Sequence, residues 1–463
     1  MSACSSGPYS PYTPDELSGW EFEFSGETAG AIARATESLV RFQEQGVVLT
    51  DTEPLARLLM RSEAVASSRI EGLSVSAKRL MEHEALAEMG VRARLDSTEA
   101  AVLANIRAMH DHVFSVGPGD PVTLETLQRV DADLLKGGPL EGMGGIVRAE
   151  QNWIGGSALD PVGAAYVPPA PEDVPRLLDD LVRFCNSSPL PAVARAAIAH
   201  AQFETVHPFA DGNGRTGRAL ALMVLRSGSL VGGAVPPISM AVASDRETYI
   251  EALTSMRCED AGGLRRAQDR YVAYWCGACV DACALAASFE ERVAELRASW
   301  EDRVRPRAGS AAELLLAVLP GTPVVSIQSA ARLTARSREA ARNAIAALVE
   351  AGGALAVENP FIAKARLQQM MRDFAPPLPP SDCPREDMRW EKTPTASSAL
   401  RLDKDVSVAM EKMEQIRRIT ESLPGIDCGA CGSPKCRAFA EDIVAGRAEA
   451  GMCVFSDKND KDK

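Results

Sequence analysis

Lysine is scarce in this chain until late: Lys78 and Lys136 are the only lysines before Lys364, whereas Lys392, Lys404, Lys412, Lys435, Lys458, Lys461 and Lys463 crowd the remaining tail. The change in composition marks the tail as a module of separate origin. Basic charge is short overall, with a formal net charge of -13. That excludes a chain-wide nucleic-acid footprint and leaves room only for a local basic patch. The N-terminus MSACSSGPYSPYTPDELSGW lacks a basic start followed by an apolar stretch, and eighteen uninterrupted apolar residues occur nowhere. A cytoplasmic protein with no membrane partner is expected. Eleven cysteines in so long a chain are too thin for a disulfide framework and, where they cluster, point to metal or to reduced thiols.

What is present is helical pattern and punctuation. At 463 residues the chain is too long for one ordinary core. The apolar positions Leu55, Leu58, Leu59, Val65 and Ile70 recur at helical spacing and stop at Gly72, a residue suited to a left-handed cap. Further helices are predicted over Ser97–His112, Thr123–Leu135, Val174–Asn186, Pro191–Val206 and Gly214–Arg226, with more between Arg246 and Leu296. The Gly-rich stretch Gly137–Gly156 breaks the pattern as a loop or short hairpin. Mainly α architecture follows, organised as 1–95, 96–300, 308–363, a Pro-rich linker 364–404 and 405–463.

The densest chemistry lies in His207-Pro-Phe-Ala-Asp211-Gly212-Asn213-Gly214-Arg215-Thr-Gly-Arg218. A helix that ends at a histidine and reopens after Gly-Asn-Gly turns several backbone N–H groups toward one point, where a phosphate fits. Gly212 and Gly214 allow close approach. Asp211 offers a hard oxygen to Mg²⁺, Arg215 and Arg218 stand one turn apart as cationic clamps, and His207 takes a proton near neutral pH. Taken singly, each piece is ordinary structure. Together they are the parts of phosphoryl or nucleotidyl transfer.

The run from His207 to Arg218 resembles the Fic family motif His-Pro-Phe-x-Asp/Glu-Gly-Asn-Gly-Arg-x-x-Arg without departure, and the resemblance covers about Pro11 to Leu285. It implies transfer of AMP from ATP to a Ser, Thr or Tyr hydroxyl of a target protein. His207 would be the base and Asp211 the Mg²⁺ ligand. Asn213 and the amides of Gly212 and Gly214 would lie on the phosphates, with Arg215 and Arg218 on the outer ones. Gly145-Ile-Val-Arg148 and Gln151-Asn-Trp-Ile-Gly look like the family's β-hairpin flap, which holds a target by strand addition. Taken alone, this is a Gly-rich loop. Tyr249 falls where relatives place an aromatic near the nucleotide base, a packed helical tyrosine being the other reading.

Ser67-Ser-Arg-Ile-Glu71-Gly72 matches the family's inhibitory pattern Ser/Thr-x-x-x-Glu-Gly/Asn. Glu71 is the implied brake: a carboxylate paired bidentately with an arginine keeps that arginine from the γ-phosphate. In some relatives the same glutamate is linked to removal of AMP, and both roles stay open here.

Residues from Gly309 to Ile362 read as a winged helix-turn-helix, with helices at Ala311–Leu319, Ser326–Leu333 and Ser337–Glu350, then Gly352-Gly353 and a short strand. Arg332, Arg336, Arg338 and Arg342 make it locally basic. DNA binding and a small packing or dimerisation role, including a homodimer, weigh equally at this stage. In the tail, Cys428, Cys431, Cys436 and Cys453 follow C-x2-C-x4-C-x16-C. The segment from Val406 resembles the iron-sulfur domain of ferredoxin-like hydrogenase subunits and electron-transport complexes, which implies a [4Fe–4S] cluster, with zinc as the alternative. Cys276, Cys279 and Cys283 fall on one helical face and read as core. The rival to AMP transfer is a DNA-binding or redox regulator with an idle core.

Overall fold

Helical periodicity in the sequence becomes helix at nearly every predicted position. The computed structural model describes residues 9–48, 52–76, 79–80, 83, 96–156, 161–258, 260–322, 324–350, 406–423, 436–444 and 448–449. The chain divides into two units, one of Met1–Val75, Leu86–Arg297 and Leu314–Val325, the other of Ser76–Ala85, Ala298–Glu313 and Ser326–Lys463. Along the chain run α1 (Gly26–Val48), α2 (Thr52–Ile70), α3 (Ser97–Ala108), α4 (Leu124–Leu135), α5 (Val174–Ser187), α6 (Ala192–Val206), α7 (Asn213–Ser227), α8 (Ile238–Ser244), α9 (Arg246–Ser255) and α10 (Ala261–Val304). Beyond them lie α11 (Ala311–Val318), α12 (Ile327–Thr334), α13 (Arg338–Glu350), α14 (Val406–Ser422) and α15 (Cys436–Val444). α8 and α14 had no counterpart in the sequence reading.

At the centre of the first unit is α6, in which every residue from Val193 to Val206 except Arg195 is buried. A helix covered on all sides needs no amphipathic stripe. Gly217 of α7 lets the two helices approach closely: a Cβ there would stand 2.8 Å from Glu204 Oε1 and 3.1 Å from Phe203 Cδ1. Around this pair pack Leu177, Leu178, Leu181, Tyr271, Val272 and Trp275, each large aliphatic side chain contributing about 2 kcal/mol by leaving water. Cys276, Cys279 and Cys283 are buried on the same face of α10, as small apolar groups. By length and composition α10 could cross a membrane, yet its apolar residues from Tyr271 to Cys283 serve this core.

Helix ends are chemically marked. Asp96 and Glu99 form a reciprocal capping box at α3, and Thr123 caps α4 by accepting the Thr126 N–H at 3.2 Å. Asn105 on α3 donates to Ala64 O at 2.7 Å and Ser68 Oγ at 2.9 Å, pinning α2 where its last turn meets the site. The stretch after α4 departs from the expected hairpin. Among the described residues no strand pair forms there, and an isolated antiparallel bridge joins Ile154 to Tyr166. Gly144 and Gly145 pack closely on α4: a Cβ on Gly145 would lie 2.6 Å from Gln128 O, and one on Gly144 2.9 Å from Ala132 Cα. Gly352, Gly353, the following strand, the linker, Cys428, Cys431 and Cys453 lie outside the described residues.

Candidate active site

The site is built where α6 ends and α7 begins. His207 ends α6 in the left-handed region, at φ 50 and ψ 60, a conformation that costs a residue with a Cβ about 1–2 kcal/mol. Several bonds hold it there. Its N–H donates to Phe203 O at 2.9 Å, and its carbonyl accepts from Arg148 Nε at 2.9 Å and Asn152 Nδ2 at 3.2 Å. Arg148 is 6% exposed and also reaches Pro169 O at 2.6 Å and Val206 O at 3.3 Å. The residue that the sequence placed in a flap is thus a clamp on the back of the His207 turn. Arg148→Ala strands several buried carbonyls and should cost about 2–4 kcal/mol, read as a lowered thermal midpoint together with lost activity.

Gly212, at φ 79, opens α7, and the first helical bond runs from Thr216 N–H to Gly212 O at 2.9 Å. The N–H groups of Asn213, Gly214 and Arg215 therefore precede the helical ladder and remain to bind an anion. The loop itself is closed by Asn213, whose Oδ1 accepts Phe209 N–H and whose Nδ2 donates to Phe209 O, both at 2.9 Å. The side-chain amide thus bonds both backbone groups of Phe209 and holds the turn, while the backbone N–H of Asn213 stands in the row of free amides.

Arg218 is 2% exposed and does not point freely into the cradle. Its Nε donates to Ser67 Oγ, and its Nη2 to Ser67 O and to Glu71 Oε1, each at 2.8 Å. The expected two-pronged pairing with Glu71 is instead shared with Ser67. Glu71 sits just past α2, where Gly72 at φ 79 turns the chain and Arg246 Nε caps Ile70 O at 2.8 Å. Burial would raise the Glu71 pKa, but the charge and hydrogen bond of Arg218, helped by Arg215 and His207, outweigh it and hold the carboxyl below its ordinary value. Ionised at neutral pH, it keeps the pair closed. The carboxylate also covers the mouth of the cradle, since a Cβ on Gly214 would overlap Glu71 Oε1. Gly214→Ala should thus displace Glu71 and yet obstruct the phosphates, giving lower transfer even when combined with Glu71→Gly in a labelled-ATP assay.

Residues 121–225 match the Fic/DOC family and residues 29–112 the Fic/DOC family N-terminal region. The chain carries a Fic domain. The protein adenylyltransferase fic-1 of Caenorhabditis briggsae is 40% identical over 104 residues, 22% of this chain and 18% of that protein. The protein adenylyltransferase Fic of Drosophila melanogaster is 38% identical over 94 residues, 19% of this chain and 17% of that one. Each match thus spans less than a fifth of the relative's length. A Fic family protein from Desulfovibrio desulfuricans G20 aligns with a TM-score of 0.46 and 19% identity, covering 74% of this chain and 92% of that one. Residues 423–455 match the family described as "Putative Fe-S cluster".

Within the Fic domain the two arginines part company. Arg215 is 4% exposed, lies 3.8 Å from Asp211 Oδ2, and has Nε and Nη1 buried without a hydrogen bond. It shares the Gly212 side of the loop with Asp131: a Cβ there would be 2.7 Å from Asp131 Oδ1 and 3.8 Å from Arg215 Nη2. Asp131 of α4 is fully buried and accepts Gly145 N–H at 2.9 Å, which ties the flap segment to this helix. Burial drives its pKa up to about 7, against the Gly145 bond and Arg215. The sequence carried one overlooked signal for it, an aspartate on the apolar face of Leu127, Val130 and Leu134.

Tyr249 is 3% exposed, with its hydroxyl 3.2 Å from His200 Nε2. It is a packed helical tyrosine. His200, bonded through Nδ1 to Tyr271 at 2.6 Å and stacked on Trp275 at 4.9 Å, is held neutral by burial and by Arg218. Glu204 lies in the same layer, its pKa raised to about 7 by burial and Glu71.

Proposed function

We propose that this protein transfers AMP from ATP to a Ser, Thr or Tyr hydroxyl of a target protein and that Glu71 restrains the reaction. The observation that carries the reading is the turn from His207 to Arg218, in which a half-buried imidazole, a row of unladdered amides and two buried arginines meet at one helix N-terminus. The matched relatives are named protein adenylyltransferases.

The α7 amides hold the phosphates, while Arg215, with buried donors unpaired, adds positive charge beneath them. Asp211, 58% exposed at the lip of the loop, suits a hydrated divalent cation, and Mg²⁺ held there would neutralise phosphate oxygens. Burial pushes the His207 imidazole down to about 4, so it is an unprotonated acceptor at neutral pH. It takes the proton of the target hydroxyl as that oxygen forms a bond to the α-phosphorus and pyrophosphate leaves. For the last step Arg218 must exchange Ser67 and Glu71 for the γ-phosphate.

The test is donor choice: with Mg²⁺ and one α-labelled nucleotide at a time, ATP should label protein strongly and CTP or UTP weakly. A stronger signal from CTP or UTP would sink the AMP assignment. In the tail, Cys436 opens α15 and is buried, a position fit for a thiolate ligand with Cys428, Cys431 and Cys453. When bound, a [4Fe–4S] cluster would supply one-electron chemistry.

A further inference from the structure

In the second unit, α12 and α13 are eight and thirteen residues long and are joined by Ala335-Arg336-Ser337. Ala335 takes a left-handed φ of 50, ending α12 and redirecting the chain. Ser337 Oγ then caps α13 by accepting Ala340 N–H at 3.2 Å. Ser329, Ala330, Thr334, Ala341, Ala344 and Leu348 are buried, and the small ones among them let two helices lie close. A tight turn between short helices is the arrangement that presents the second helix to a duplex.

The outward face of α13 now has residues assigned to it. Arg338, Glu339, Arg342, Asn343, Ala346 and Glu350 are its exposed positions. At about 100° per residue they fall within an arc of about 140°. Arginine matches the O6 and N7 of guanine bidentately, asparagine the N6 and N7 of adenine, and a methyl the thymine C5 group. Arg338, Arg342, Asn343 and Ala346 are those types on one face. Charge agrees: Ser326 to Glu350 holds four arginines and two glutamates, while the whole chain carries -13. The segment is thus locally positive by two charges, Arg338 and Arg342 of α13 being offset by Glu339 and Glu350 and the excess coming from Arg332 and Arg336 beside it, which favours a polyanion at this turn.

We propose that α13 is a recognition helix for the major groove of duplex DNA, with Arg338, Arg342 and Asn343 reading base edges. The site is independent of the transfer reaction.

The full-length protein is offered random-sequence DNA duplexes, and the enriched sequence is then titrated by fluorescence anisotropy against an unrelated duplex and a single-stranded RNA. Binding to the enriched duplex should be tighter by about a thousandfold and should weaken steeply between 50 and 200 mM salt. Arg342→Ala should lose roughly tenfold to a hundredfold, and Arg342→Lys should keep weak binding but lose the preference at one base position. The variants' circular dichroism and AMP transfer should stay at wild-type levels. Failure to enrich any sequence, tighter binding to RNA, or equal binding by an Arg338→Ala, Arg342→Ala double variant would overturn the proposal.

Discussion

Glu71→Gly should raise AMP transfer by about a hundredfold in an α-labelled ATP assay. The substitution removes the carboxylate that lies 2.8 Å from Arg218 Nη2 and covers Gly214. The bonds to Ser67 remain, but neutral acceptors hold a guanidinium less firmly than a carboxylate and yield more readily to a phosphate. The size of the gain follows from geometry: a reacting group displaced by about an ångström costs roughly a hundredfold. It is not larger because the Glu71 side chain is 38% exposed, and solvent weakens a half-exposed pair. Arg218→Ala should not mimic the gain, since it removes the clamp with the brake. An unchanged rate for Glu71→Gly, with His207 still essential, would reduce Glu71 to a helix-end carboxylate.

The second large effect is His207→Ala, expected to cut transfer by about 10²–10⁴, the range that a positioned base supplies. The fold should survive, because the Arg148, Asn152 and Phe203 bonds at this position involve the backbone of residue 207. Nucleotide affinity should survive as well. The pH profile carries a matching signature. Burial, with Arg257 and Arg148, lowers the imidazole from 6.5 to about 4 against the Glu204 carbonyl. A depressed histidine is the free base above its folded pKa, so transfer should hold level from pH 8 to 6 and fall only as pH approaches about 4. A limb near 6.5 would mean that His207 titrates as an exposed imidazole.

Much of this was legible in the residues. Periodic apolar spacing located α2 to α5 and α9 to α13, because each buries one face, whereas α8 and α14 went unread. α6 offered no such stripe and was visible mainly through the motif that follows it. The link between Glu71 and Arg218, 147 positions apart, needed a family pattern, since no local spacing reports a contact of that span. Asn213 shows the limit of reading roles from side-chain type: an amide fits a phosphate or backbone groups equally well, and its two bonds to the Phe209 backbone could not be read from the sequence. The left-handed turn at His207 was likewise hidden, being imposed by Arg148 and Asn152 from a Gly-rich stretch without periodicity. Tyr249 was readable either way, and its hydroxyl contact with His200, 49 positions away, left no mark in the sequence.

The most direct measurement of the central claim is a paired labelling experiment on the Glu71→Gly protein with Mg²⁺ and ATP carrying the label at either the α- or the γ-phosphate. Label from the α position should stay covalently on protein while the γ label leaves in pyrophosphate, and neither should be retained when His207→Ala is added. Covalent γ label would mean phosphoryl rather than nucleotidyl transfer and would contradict the account, as would α label that persists without His207.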